Sequence, residues 1–156
     1  MFVAKISKKQ LIILIPLILG GVIGLLNRNG FESFETIEKP SFAPGTVILP
    51  IGWSILYLLM GLSSYIVFIS SDEKKRGALT AFYIQLAANL VWPILFFALN
   101  EYFFSFLWLV LLIIFEVITI LLFYPINKTA AYLLLPYLLW STFAAVLNYQ
   151  IYVLNK

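Results

Sequence analysis

The amino-acid sequence predicts an all-α membrane protein, one domain over 1–156 built as a five-transmembrane-helix bundle with a long loop between helices 1 and 2. Three observations carry the prediction. Of the 156 residues, 63% are hydrophobic, whereas a soluble domain sits near about 45–50%. The ten basic and seven acidic residues are crowded into short clusters, so that 10–27, 40–71, 77–100 and 129–155 hold no charge, and 102–127 is interrupted only by Glu116. About 20 apolar residues cross the roughly 30 Å hydrocarbon layer, and each of these five stretches has the length to cross once.

Segment one covers about 10–27, behind a basic start containing Lys5, Lys8 and Lys9. That start resembles a secretory signal, but the apolar run is long for one and no small-x-small site closes it before Asn27-Arg28, so it reads as a retained span. Pro16 is tolerated inside it because neighbouring helices compensate for the missing backbone bond. Gly20 and Gly24 form a G-x-x-x-G pair, a packing face within one chain or between two. Residues 28–45 form the one substantial loop, with Glu32, Glu35, Glu38, Lys39, Pro40 and Pro44; its length makes it the candidate lid. Segment two covers about 46–69 and ends in the solvated run 70–77. Segment three covers about 78–99, Asn100-Glu101 joins it to segment four at about 102–124, and 125–129 leads into segment five at about 130–154. No internal repeat is visible, which speaks against an inverted-repeat transporter.

With no cysteine and no histidine, the chain can build no disulfide framework, no Cys/His zinc site, no Cys-His or Ser-His nucleophile and no His-ligated haem. No metal site and no obligatory cofactor are therefore expected. The net charge of +3 does not mark a nucleic-acid binder, because the basic residues flank helix ends instead of forming a patch. Lys5, Lys8, Lys9, Lys74, Lys75, Arg76 and Lys128 fall on one side of the membrane and Arg28, Lys39 and Lys156 on the other. Positive charge collects on the cytoplasmic side, so the expected topology has the N-terminus inside and the long loop outside; the expected location is a bacterial cytoplasmic membrane.

The polar side chains at membrane depth fall on three stripes. In segment two, Trp53, Tyr57 and Gly61 recur every four residues, with Ser64 three further on; segment three aligns Gln85, Asn89, Trp92 and Phe96; segment five aligns Tyr137, Trp140, Ala144 and Asn148. Such spacings share one helix face. An unbonded amide in hydrocarbon costs a few kcal/mol, so these stripes turn inward. One account is adhesion between helices, at an average of about 0.6 kcal/mol per interhelical polar bond. The other is a cavity, since indoles, amides and small residues facing inward suit a flat, largely apolar ligand. Trp108, Tyr102, Tyr124 and Tyr132 lie near helix ends and fit the interfacial aromatic belt. Glu116 is the one acid inside a span, where ionised burial costs about 2.5–3.5 kcal/mol even on a lenient scale. It is expected to be protonated or paired, with Thr119 one turn away as a local partner. It serves either as a bonded structural acid or as the relay of a small proton-coupled multidrug exporter. The stretch from Leu147 to Lys156, with Tyr152 between, satisfies a loose cholesterol pattern.

These residues resemble the TspO/MBR family: the tryptophan-rich sensory proteins, peripheral benzodiazepine receptors and translocator proteins. The loop run Glu38-Lys39-Pro40-Ser41-Phe42-Ala43-Pro44-Gly45 is similar to the family's L-x-K-P-x-W-x-P-P, and 53–61 is similar to W-x-x-L-Y-x-x-M-G. Residues 85–97 look like Q-L-x-x-N-x-x-W-x-x-x-F-F, and segment five supplies Pro136-Tyr137-Leu138-Leu139-Trp140, Phe143-Ala144 and Leu147-Asn148. The chain departs from the family at Ser33-Phe34, where a Trp-Tyr pair is frequent, at Phe42 in place of Trp, and at Gly45 in place of the second proline.

The resemblance implies a five-helix membrane protein, commonly a homodimer, that binds porphyrins such as protoporphyrin IX, and sterols or benzodiazepine-type drugs, in a pocket beneath the first loop. It carries over Asn89 as the amide that meets drug carbonyls and Ala144 as a small wall position. The three stripes independently place Trp53, Tyr57, Gln85, Trp92, Phe96, Tyr137, Trp140 and Asn148 at the same candidate site, and Phe42 joins them as the residue standing where relatives carry a loop tryptophan. Some bacterial relatives break down protoporphyrin in light, and by motif position that chemistry would fall to Trp53 and Trp140. The reading is of a binding protein, with slow photo-oxidative porphyrin breakdown as an alternative activity.

Overall fold

The computed structural model describes residues 7–156; Lys5 of the basic start lies outside them. The helices are α1 (Lys8–Leu26), α2 (Arg28–Thr36), α3 (Ile48–Phe68), α4 (Lys75–Pro93), α5 (Tyr102–Phe123), α6 (Lys128–Leu133) and α7 (Leu135–Leu154), with a π-helical turn at Ile94–Ala98 extending α4. Five of these units are long and apolar enough to cross a membrane, counting α4 with its π turn and α6 with α7 as one each.

Local chemistry explains where the helices begin and break. Ser7 and Gln10 form a capping box at the start of α1, satisfying two backbone N–H groups that have no helical partner. Pro93 cannot donate a backbone bond, and the chain beyond it widens so that the Leu99 N–H reaches the Ile94 carbonyl, the i to i+5 pattern of a π turn. Asn100 then takes a positive φ of 54°, a left-handed position that Asn tolerates and that ends the helix. Asn127 caps α6 by accepting from the Ala130 N–H at 3.0 Å. Pro136 sits in the first turn of α7, where its missing N–H costs nothing, and the helix divides at Leu134 just before it. Segment five is thus two helices and starts two residues earlier than the sequence suggested.

The long loop holds a helix that the sequence reading did not foresee. α2 continues almost directly from α1 through the buried Asn27, whose Nδ2 donates to the Ile23 carbonyl at 2.8 Å. Phe31 and Phe34, three apart, turn the same face of α2 onto the bundle. The Phe31 ring lies 4.4 Å from that of Phe97, and Phe34 is buried beside Phe96 and Phe97. Behind α2 a strap of irregular backbone, 37–47, leads to α3. The Asn155 side chain ties it down, donating to the Glu38 carbonyl at 2.8 Å and accepting from the Glu38 N–H at 3.1 Å. Lys39 Nζ donates to the Phe34 and Glu35 carbonyls and so closes the C-terminal end of α2, as a cation does at that pole of a helix.

Around the bundle the spans follow the order α1, α3, α6–α7, α5, α4, with α4 returning to touch α1. α1 packs chiefly on α3 and is the least enclosed of the five spans. Two buried clusters make up the interior: one beneath the strap around Phe34, Trp92, Phe96 and Leu109, and one in the opposite half around Met60, Phe82, Phe123 and Leu134.

Candidate functional site

All three polar stripes point inward, and their hydrogen bonds tie the helices together. The Tyr57 hydroxyl donates to Asn89 Oδ1 at 2.6 Å, Asn89 Nδ2 donates to the Tyr137 hydroxyl at 3.0 Å, and Tyr137 donates to Gln85 Oε1 at 2.9 Å. One continuous chain joins α3, α4 and α7. A second crossing lies nearer the strap: Trp92 Nε1 donates to Asn148 Oδ1 at 3.0 Å, and Asn148 Nδ2 donates to the Tyr102 carbonyl at 2.7 Å. Gln85, Asn89, Tyr137 and Asn148 are each at most 1% exposed. At that depth every lost partner leaves an amide or hydroxyl in hydrocarbon, so adhesion is a real part of what the stripes do.

They also wall a cavity. A void of about 460 Å³ lies between α1, α3 and α4 under α2, bounded by Gly20, Gly21 and Gly24 on one side and by Trp53, Tyr57, Asn89 and Trp92 on the other. Ligand sites have volumes of roughly 300–1,000 Å³ with apolar and aromatic walls and a few placed polar groups. Phe31 of α2 closes one end. The glycines make the space: a Cβ at Gly21 or Gly24 would meet nothing within 4 Å.

The residues expected at a ligand site divide around Trp53 and Trp92, whose rings are 6.0 Å apart and form a partition. Trp53, Tyr57, Asn89 and Trp92 line the large cavity. Beyond the partition, Phe96, Trp140, Ala144 and Asn148 surround a second void of only about 20 Å³, room for about one water; on its other side Trp140 borders a shallow open groove of about 510 Å³ between α3 and α7. Gln85 and Tyr137 line neither void and lie in the hydrogen-bonded chain. Phe42 is exposed on the strap, edge-on to Phe143 at 6.2 Å. Trp140 meets Trp53 at 6.5 Å with the rings near perpendicular, and its indole N–H is buried without a partner.

Phe31, Leu49, Phe97 and the three glycines of α1 line the large void and were not among the expected site residues. The glycine spacing was visible in the sequence, but it could not say that the glycines border a void. Gly20 does act within the chain, because a Cβ there would run into the Tyr57 ring.

Two expectations change. Glu116 is 2% exposed, and its Oε1 accepts from the Ser141 hydroxyl of α7 at 2.7 Å; Thr119 instead donates to the Phe115 carbonyl of its own helix. Trp108 is no belt residue, since its indole donates to the Ala88 carbonyl of α4 at 2.7 Å. That bond turns the ring inward to pin α5 to α4. Tyr124 and Tyr132 remain exposed near helix ends, with rings 6.1 Å apart. Glu116 does not line the large cavity, and its Oε2 is buried without a partner. Glu116→Gln keeps an oxygen for Ser141 at the same volume, so it is expected to shift stability by less than about 1 kcal/mol. Ser141→Ala leaves the acid without its donor and is expected to lose about 1–3 kcal/mol, both read by thermal unfolding in detergent.

Comparison with known proteins agrees with this architecture. The family model of the TspO/MBR family matches residues 12–154. The chain is 37% identical over 122 residues to the tryptophan-rich protein TspO of Archaeoglobus fulgidus, covering 78% of this chain and 79% of that one. It is 33% identical over 142 residues to the translocator protein of Ovis aries, covering 88% and 84%. It is 29% identical over 124 residues to the tryptophan-rich sensory protein of Cereibacter sphaeroides, covering 80% and 77%. A five-span bundle and a match over nearly its whole length place this chain in the TspO/MBR family.

Proposed function

We propose that the protein is a membrane receptor of translocator type that binds a flat, largely apolar tetrapyrrole, with protoporphyrin IX as the test ligand, in the cavity between α1, α3 and α4. The carrying observation is that void of about 460 Å³, faced by two indoles, a phenol and an amide. Stacking on Trp53 and Trp92 supplies affinity, and the second amide hydrogen and free lone pair of Asn89 supply orientation. Sterol-like or benzodiazepine-like molecules share the same flat, apolar character. The excess of Lys and Arg on the side opposite the strap supports an inside N-terminus in a bacterial cytoplasmic membrane.

The test is a protoporphyrin IX titration in detergent in darkness, followed by quenching of indole fluorescence. Wild type is expected to saturate. Gly24→Phe places a ring in the void without meeting another residue at its Cβ, and is expected to weaken binding at least about tenfold, or 1.4 kcal/mol, with the fold intact. Unsaturable quenching in wild type, or full affinity in Gly24→Phe, overturns the reading.

A second reading, light-driven oxidation of bound porphyrin by dioxygen, draws on the Trp53–Trp140 ring contact. It requires that illumination yield a product that disappears in Trp140→Phe while binding persists. An exporter driven through Glu116 requires instead that Glu116→Gln alter the handling of the ligand.

A further inference from the structure

The residues of the cavity wall that are exposed all belong to α1 and α3. α1 and α3 touch from the half of the bundle away from the strap up to the middle of the two helices. A Cβ at Gly61 would collide with the Ile13 carbonyl of α1, and one at Gly20 with the Tyr57 ring, whereas Gly21 and Gly24 have no neighbour within 4 Å of such a Cβ. Above the Gly20–Tyr57 contact, exposed residues of both helices line the cavity, so that it reaches the surface between them, here called the window. Its rim is Gly21 and Leu25 on α1, and Pro50 and Ser54 on α3, all four exposed and all four lining the cavity. On a bundle in a bilayer, that exposure faces acyl chains.

Among the described residues, those that line the cavity from α2, α4 and its π turn, Phe31, Asn89, Trp92, Pro93 and Phe97, are buried or half-buried. Phe31 seats α2 over the cavity, in ring contact with Phe97. The strap behind it is held by the two Glu38–Asn155 hydrogen bonds and by Lys39 on the α2 carbonyls.

The cavity's chemistry agrees with its opening. No charged residue lines it, and its polar side chains are already engaged: Ser54 with the Pro50 carbonyl, Tyr57 with Asn89, Asn89 with Tyr137, and Trp92 with Asn148. A guest brings its affinity by stacking and by loss of apolar surface, which favours molecules already dissolved in the membrane.

We propose that the guest is a membrane-dissolved, flat, apolar molecule that enters from the lipid through the window between α1 and α3 and not from water past the strap. The proposal rests on the binding reading above and names the source and class of its ligand. Polar substituents on the guest would trail through the rim, which lies within two turns of the loop-side ends of α1 and α3, the level at which headgroups begin.

The experiment uses the full chain in phosphatidylcholine liposomes, with protoporphyrin IX delivered from donor vesicles and uptake followed by stopped-flow indole quenching. Because the protein has no cysteine, Glu38→Cys/Asn155→Cys supplies one cysteine pair at the point where the strap meets the end of α7, and its oxidation, verified by thiol titration, is used to lock the strap. The locked and reduced forms are expected to take up porphyrin at rates within about twofold of each other. Gly21→Phe and, from the opposite rim, Ser54→Phe are each expected to slow association about tenfold, as a blocked path lowers an on-rate.

Uptake abolished by the lock and restored by reduction would overturn the window. So would unchanged rates in both rim variants, which would leave the gap to lipid chains alone. A weaker affinity at an unchanged association rate would mean that the added rings fill the cavity and not its mouth, and would also overturn it. Ready disulfide dimerisation of Gly21→Cys would show a second copy covering the gap, and the window would fall on that result too. Failure of wild type to bind at all instead removes the binding reading and is visible before any variant is made.

Discussion

Gly61→Leu is expected to separate α1 from α3 and leave little native protein, and even Gly61→Ala is expected to lower stability by more than the roughly 1–3 kcal/mol of ordinary overpacking. The direction is informative, because intrinsic propensity predicts the opposite. In an exposed helix interior, Gly to Ala gains about 1 kcal/mol. At Gly61 the new methyl would fall on the Ile13 carbonyl oxygen, and a backbone atom in the middle of a helix cannot rotate aside as a side-chain tip can. α1 must therefore move as a unit, and α1 has few other attachments, since it packs chiefly on α3. Thermal unfolding and size-exclusion profiles in detergent would read the effect, with Gly24→Leu as the control at a position where a Cβ meets nothing within 4 Å. A stable, monodisperse Gly61→Leu protein would show that α1 and α3 are not so closely apposed.

How much of this was legible in the sequence depends on what kind of force decides each feature. The five spans were readable because lipid excludes charge, and the positions of 17 charged residues therefore mark the membrane boundaries. The inward turn of Gln85, Asn89 and Asn148 was readable for the same reason. α2 was not, because Arg28–Thr36 includes Gly30, Asn29 and Thr36, which are weak helix formers; Phe31 and Phe34 stabilise the helix only by reaching Phe96 and Phe97. The partners of Glu116 and Trp108 were equally out of reach. Helical spacing lists local neighbours such as Thr119, whereas Ser141 and the Ala88 carbonyl come from other helices and depend on the order α1, α3, α6–α7, α5, α4. The cavity follows the same logic. Trp53, Asn89 and Trp140 share inward faces, yet the contact of the Trp53 and Trp92 rings puts Trp140 behind a wall, and only the packing of α1 determines where glycines leave space.

Asn89→Leu is expected to be the most damaging polar-to-apolar change in the bundle, and the size of the loss distinguishes adhesion from mere proximity. If each interhelical bond were worth its membrane average of about 0.6 kcal/mol, losing the bonds to Tyr57 and Tyr137 would cost only a little over 1 kcal/mol. Asn89 is different because its partners cannot find replacements. Tyr57 is buried and donates to no other group, so its hydroxyl would be stranded at about 1–3 kcal/mol. Tyr137 would keep Gln85 as acceptor but lose its donor. We therefore expect a loss of about 2–4 kcal/mol, measured as a drop in the midpoint of thermal or denaturant unfolding. The decisive comparison adds Tyr57→Phe to Asn89→Leu and leaves Tyr137 in place, because Tyr137 is the donor to Gln85 Oε1, and Gln85 Nε2 has no partner of its own. Removing the stranded hydroxyl together with the amide leaves apolar groups of similar volume, which can approach neutrality. The double variant is expected to recover at least half of the stability that the single variant loses. A double variant as unstable as Asn89→Leu alone would locate the damage in the shape of the leucine and not in the hydrogen bonds, and the polar chain would lose its claim to hold α3, α4 and α7 together.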